Sequence, residues 1–191
     1  MSAPRHEARP RLRAHGRSLS ELVVGVSIAA LVLTLAVRLP ASIGHSTRVE
    51  SLGRELLAAL RFARGEAQAR GVRVVVCASE WPQATEPSCA APSGLPAGWL
   101  VFIDDFESPD NLPGVLDRPG DTLLRVVLGD PAVSVTAANP EAGNWLAYDP
   151  RGMLLGPNGW LATDIVFCLN GSASVVSLKT SGSATADQRR C

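Results

Sequence analysis

Beyond residue 45 this chain of 191 residues contains no histidine, because all three, His6, His15 and His45, lie in its first quarter. The rest of the chain therefore has no imidazole to serve as general base or metal ligand. The glycine-rich phosphate-binding motifs and the G-x-S-x-G elbow are missing as well. No two cysteines have the C-x-x-C spacing of a zinc knuckle or a redox motif, and no internal repeat is present. These absences leave an enzyme little to work with, and the expectation is a non-catalytic protein without cofactor or metal. A carboxylate pair acting without histidine is the remaining catalytic option, and Asp104 and Asp105 are the residues to weigh. Neighbours on a strand point to opposite faces, and this pair opens a proline-rich loop, so a turn is the expected role. The same loop carries Asp104, Asp105, Glu107, Asp110 and Asn111, oxygen ligands of the kind calcium takes. Their spacing matches no EF-hand, and a solvated acidic loop is expected instead.

What the chain does have is an asymmetry of charge. The formal net charge is zero, yet Arg5, Arg9, Arg11, Arg13 and Arg17 crowd the start against Glu7 alone. An apolar run follows from Leu22 to Val37, extended by Leu19 and Leu39, with Arg38 able to snorkel. Basic flanks stay on the cytoplasmic side, so residues 1–16 read as a cytoplasmic leader, 17–39 as a single membrane-spanning helix, and everything beyond as exported. A discarded secretory signal peptide would share this pattern. Glu21 argues against it, since an acid at the entrance of a discarded segment has no use.

From 40 to 70 the pattern turns amphipathic. Val49, Leu52, Leu56, Leu60, Ala63 and Ala67 recur at spacings of three and four, with charged residues mainly elsewhere. Pro40 predicts a kink within one long helix, and Gly71 after Arg70 predicts its stop. After Gly71 short β-type runs are expected at 72–78, 99–104, 123–128, 132–136, 145–148, 164–169 and 174–179, divided by proline-rich loops at 80–97 and 105–121. Residues 181–188 read as a mildly polar end. One amphipathic helix covering one face of an antiparallel sheet makes an α+β fold, with 71–191 as the globular β-rich domain. Its four cysteines, Cys77, Cys89, Cys168 and Cys191, favour disulfides in an exported domain. Cys77 with Cys89 and Cys168 with Cys191 is the expected pairing, although spacing alone leaves all three connectivities open.

The order of basic leader, Gly16, Arg17-Ser18-Leu19-Ser20, Glu21, apolar helix and amphipathic continuation resembles the signal of type IV prepilins and type II secretion pseudopilins. The helix end 56–67, the segments Gly71-Val72-Arg73-Val74, Gly98-Trp99-Leu100-Val101-Phe102-Ile103-Asp104 and Leu123-Leu124-Arg125-Val126, and Tyr148-Asp149-Pro150-Arg151-Gly152 with Phe167-Cys168 resemble the GspH/FimT branch. The resemblance implies the type IV pilin-like fold, a long kinked helix carrying an antiparallel β domain. It implies cleavage after Gly16 by a prepilin peptidase and methylation of the new N-terminus at Arg17, where the family usually has phenylalanine. It implies that Glu21 pairs with the N-terminal amine of a neighbouring subunit. The expected partners are other pilin or pseudopilin subunits, the peptidase, the inner membrane, and secreted cargo or DNA, with no small-molecule substrate. The expected role is a GspH-type subunit of a secretion pseudopilus, inserted in the bacterial inner membrane and incorporated into a periplasmic fibre.

The FimT-type alternative, a DNA-binding minor pilin, draws attention to Arg189, Arg190 and Lys179. The glycine-arginine motif of those relatives is incomplete, because Gly182 is followed by Ser183. So few cations predict weak, salt-sensitive binding. Among the tryptophans, Trp99 and Trp145 in strand runs are expected in the core, and Trp81 and Trp160 beside Pro and Gly are expected at the surface.

Overall fold

A computed structural model describes residues 18–36, 42–90, 97–105, 112–117, 120–139, 142 and 145–191. The chain divides into two units, 1–40 and 41–191. The first contains α1, Leu19–Ala36. The expected kink at Pro40 falls on 37–41, outside the described residues.

The second unit begins with α2, Ser42–Arg70, and continues in ten strands. These are β1 Val74–Ser79, β2 Gly98–Ile103, β3 Thr122–Leu128, β4 Ser134–Ala137, β5 Trp145–Tyr148, β6 Leu154–Gly156, β7 Gly159–Trp160, β8 Thr163–Leu169, β9 Ser172–Leu178 and β10 Ala184–Arg190. All seven expected strands are present, and the fold is α+β. Where one sheet was expected there are two, both antiparallel: a six-stranded sheet in the order β3-β2-β1-β5-β6-β7, and a four-stranded sheet in the order β10-β9-β8-β4.

The helix serves both. Val49, Leu52, Leu56, Leu60, Ala63 and Ala67, the predicted stripe, are all buried and share one core with Val74, Val76, Trp99 and Val101 of the larger sheet and Ile165, Phe167, Val176 and Leu178 of the smaller. The Trp99 and Phe167 rings meet edge to face at 5.5 Å and join the two sheets directly. Gly53 lies so close to β9 that a Cβ there would strike Ser174. The helix ends as expected: Gly71 takes the left-handed conformation with φ of 67°, and the Val72 N–H donates to the Ala67 carbonyl.

β1 is buried on both faces, which explains its unbroken Val-Val-Val-Cys run. Val74 and Val76 face the main core. Val75 and Cys77 face a second cluster with Leu100, Phe102 and Ala147, and Leu116 covers it from the loop before β3. The outer face of the larger sheet is thus closed by loop residues.

Three strands escaped the sequence pattern. β6 and β7 form a hairpin too short for any period to show. The 181–188 stretch is largely β10, an edge strand paired along its whole length with β9. Only Ala184 and Ala186 pack against the core, so the strand carries almost no apolar alternation. The β8–β9 hairpin turns through Asn170 and Gly171, at φ of 49° and 84°, as Asn-Gly turns require.

Leu60 lies fully inside the main core. Leu60→Ala should lower stability by about 2–5 kcal/mol, read as a fall in urea midpoint with unchanged slope.

Candidate assembly surface

α1 is apolar on every side. Leu19, Leu22, Val23, Val24, Val26, Ile28, Leu31, Val32 and Leu33 are each exposed by more than half their surface. At about 100° per residue, Leu22, Val23, Val24 and Val32 fall on all four sides of the helix, so this is no single stripe over a soluble core. Exposed apolar surface of this extent marks a site of interaction with other apolar groups. Its described length is 18 residues, or about 27 Å. Among the described residues no helix is long and apolar enough to cross a membrane.

Glu21 stands in the first turn of α1, as its charge favours at a helix N-terminus. Ser18 precedes the helix, and its Oγ accepts a hydrogen bond from the Glu21 N–H at 3.4 Å. The Ser-x-x-Glu spacing at 18–21 is that of a capping box, a local signal the chain displays openly. Gly16 and Arg17 lie outside the described residues.

The three C-terminal cations are not brought together. Lys179 begins the β9–β10 turn, where its N–H donates to the Ser183 carbonyl at 3.0 Å. Arg189 and Arg190 sit at the far end of β10, opposite Ala173 and Ser172, about 20 Å along the strand. As strand neighbours the two arginines also point to opposite faces.

Both expected disulfides are formed, Cys77–Cys89 with Cα atoms 5.6 Å apart and Cys168–Cys191 at 6.1 Å. The first closes a short loop into the second core. The other fastens the end of β10 to β8 across the intervening β9.

The acidic loop organises itself rather than standing free in solvent. Asp104 is buried, with Oδ2 3.4 Å from the Arg73 guanidinium and accepting the Gly114 N–H at 3.1 Å. Gly114 has φ of 77° and lies against the Trp145 ring, where a Cβ has no room. Asp121 accepts the N–H groups of Asp105 and Asp117 at 2.9 and 2.8 Å, and Asp117 accepts that of Leu112 at 2.7 Å. Burial holds the Asp104 carboxyl above its ordinary range, opposed by the Gly114 bond and Arg73 and reinforced by Asp121 and Asp117. Glu107, Asp110 and Asn111 lie outside the described residues. Among the described residues no cluster of His, Cys, Asp or Glu is arranged to hold a metal. Arg73 was not singled out in the sequence; its role follows from the pairing of β1 with β2, which brings Val74 opposite Ile103. Trp81 and Trp160 are exposed as expected, Trp99 is buried, and Trp145 is half-buried under Arg73, whose guanidinium carbon is 5.0 Å from the ring centroid.

The closing motif Tyr148-Asp149-Pro150-Arg151-Gly152 is a turn clamped to α2. Asp149 Oδ1 accepts the N–H groups of Arg151 and Met153 at 3.0 and 2.8 Å. Gln68 donates to the Arg151 carbonyl at 3.1 Å, while Arg64 donates to the Ser181 carbonyl of the β9–β10 turn at 2.9 Å.

The family model of the type II transport protein GspH matches residues 52–183, the stretch from within α2 to the end of the β9–β10 turn. The chain belongs to the GspH family. Two crystal structures of the type IV minor pilin FimU of Pseudomonas aeruginosa (strain PAO1) are similar to it. One is 18% identical with a TM-score of 0.50, over 74% of this chain and 89% of that one. The other is 19% identical with a TM-score of 0.49, over 72% and 91%. At this identity the likeness is one of fold: the GspH-family domain is of the type IV pilin kind, a helix followed by antiparallel sheets. No curated protein sequence matches the chain.

Tyr148, from the clamped turn, is the one tyrosine of this GspH-family chain. Burial pushes its hydroxyl up to about 12, with the Arg64 guanidinium pulling the other way. A spectrophotometric titration should therefore find one tyrosinate transition, near 12 when folded and near about 10 when denatured. The raised value means that folding favours the neutral phenol. That contribution, about 3 kcal/mol, should be complete below pH 10 and lost as pH rises through 12, measured by denaturation at each pH.

Proposed function

We propose that this GspH-family chain is a non-catalytic minor pilin-like subunit of a type II secretion pseudopilus. In this reading the leader 1–16 is removed after Gly16, Arg17 becomes the methylated N-terminus, and 17–39 holds the subunit in the inner membrane until it is drawn into a periplasmic fibre. The observation that carries the reading is α1, an apolar helix exposed on all sides and attached to a unit that completes its own core without it. Such a helix is satisfied first by lipid and then by the equivalent helices of neighbouring subunits. The exchange costs little, since apolar surface stays covered throughout. Glu21 supports the same reading, because a carboxylate at membrane depth is expensive unless a partner cation meets it. In a fibre that partner is the N-terminal amine of the adjacent subunit. The β domain then faces outward, towards secreted cargo or the next subunit.

A second reading, a minor pilin of a type IV pilus that binds DNA, draws on the exposed Arg189 and Arg190 of β10. It is the weaker one. Two arginines on opposite faces of a strand, with Lys179 about 20 Å away, neutralise few phosphates at once.

N-terminal sequencing of the membrane-extracted protein should begin at Arg17; a start at Met1 or beyond Pro40 contradicts the pilin reading. Glu21→Gln should leave insertion and cleavage intact while reducing co-purification with partner subunits about tenfold or more. For DNA, the domain from Ser42 onward should give no stable complex with duplex at physiological salt. A robust mobility shift that Arg189→Ala with Arg190→Ala abolishes would reverse the order of the two readings.

A further inference from the structure

The two disulfides differ in how a reductant can reach them and in what they restrain. Cys77 is fully buried between Val75, Leu100 and Phe102 of the second core, and Cys89 packs half-buried against the same cluster. Attack at Cys89 would have to expel a thiolate from Cys77 into apolar surroundings. Such surroundings raise a thiol's pKa and make it a slow leaving group. Cys191, by contrast, is exposed, and Cys168 is half-buried on β8.

The restrained elements differ as well. The loop 77–89 is largely exposed, but its far end is tied back to β1 independently of the bond, by the Ala90 N–H donating to the Ala78 carbonyl at 2.7 Å and Ser79 Oγ donating to the Ser88 carbonyl at 2.8 Å. The end of β10 has no such support. Gln188, Arg189 and Arg190 are all exposed, and β10 is the edge of its sheet, so the β9 ladder and the terminal disulfide are what keep this end in place.

We propose that Cys168–Cys191 is a redox-sensitive latch on the C-terminal strand, opened selectively by a dithiol reductant while Cys77–Cys89 stays closed. One thiolate of the dithiol attacks Cys191 Sγ, the Cys168–Cys191 bond breaks, and a mixed disulfide forms. Cys168 departs as a thiolate and takes a proton from solvent. The second thiol of the reductant, once deprotonated, attacks its partner sulfur in the mixed disulfide and releases Cys191. Two electrons pass to the protein, which holds two thiols, and the dithiol becomes a disulfide. Opening frees the end of β10 from β8, bares the edge of β9 near Ser172–Ser174, and removes the fixed geometry of Arg189 and Arg190. The exposed pair is also the one that a thiol–disulfide oxidoreductase can close again.

The test is a graded dithiothreitol titration of the full chain in detergent micelles, quenched by alkylation and mapped by peptide mass spectrometry, with hydrogen exchange followed in parallel. Cys168 and Cys191 should become alkylated over a range in which Cys77 and Cys89 remain protected. Amides of 187–190 should then exchange about tenfold faster or more, while those of β1 and β2 keep their protection. Simultaneous opening of both disulfides, earlier opening of Cys77–Cys89, or unchanged exchange in β10 after reduction would each overturn the proposal. Cys168→Ser with Cys191→Ser should reproduce the fast exchange without reductant. If that variant does not fold, the titration of the native chain decides alone.

Discussion

The burial of one face of α2 against two sheets at once is the interaction on which the rest of this molecule depends. Neither sheet can close a core alone: the four-stranded one is too narrow, and the six-stranded one has loops over its other face. The stripe from Val49 to Ala67 fills the space they share, and Trp99 against Phe167 completes the seam. Small residues set how closely the helix approaches. Ala59, Ala63 and Ala67 are fully buried, and Gly53 meets Ser174 with no room for a side chain. The last two turns of α2 then act as a clamp, with Arg64 and Gln68 holding the carbonyls of two separate turns.

Around that centre, polar groups do locally what apolar packing does in the core. The carboxylates of Asp104, Asp117 and Asp121 accept main-chain N–H groups along the loop that carries Leu116 onto the second core. Arg73 supplies a positive charge bound directly to Asp104, in a position where an unpaired charge would be costly. The disulfides reinforce two different places, a loop otherwise tied to β1 by hydrogen bonds and the exposed end of an edge strand.

The core clusters of the 41–191 unit contain no residue of α1, and the proposed function rests on that observation. In the proposed function, a unit with its own core passes from membrane to fibre intact, while the apolar helix changes only what covers it. The GspH family and the pilin-type fold are consistent with that division of labour. The glutamate at the helix entrance has a local use as well, since the first turn of α1 favours an acid there.

Local chemistry was legible in the sequence wherever one residue type decides the structure by itself. The stripe of α2, the stop at Gly71, seven strands and the surface tryptophans all follow from periodicity and turn chemistry, and the likeness to pilin-type proteins rests on the motifs that carry the resemblance. β10 was not legible, because an edge strand held by main-chain bonds needs no apolar alternation, and Ala184 and Ala186 are too small to display one. The division into two sheets was hidden for a similar reason: a helix stripe is the same whether it meets one sheet or two. The Arg73–Asp104 pair and the distance between Lys179 and Arg190 are products of strand register, which joins or parts residues regardless of their spacing in the chain. The sequence alone determined which faces had to be buried; the tertiary structure decided against what, because burial constrains apolar area while partner and distance depend on how backbone ladders align.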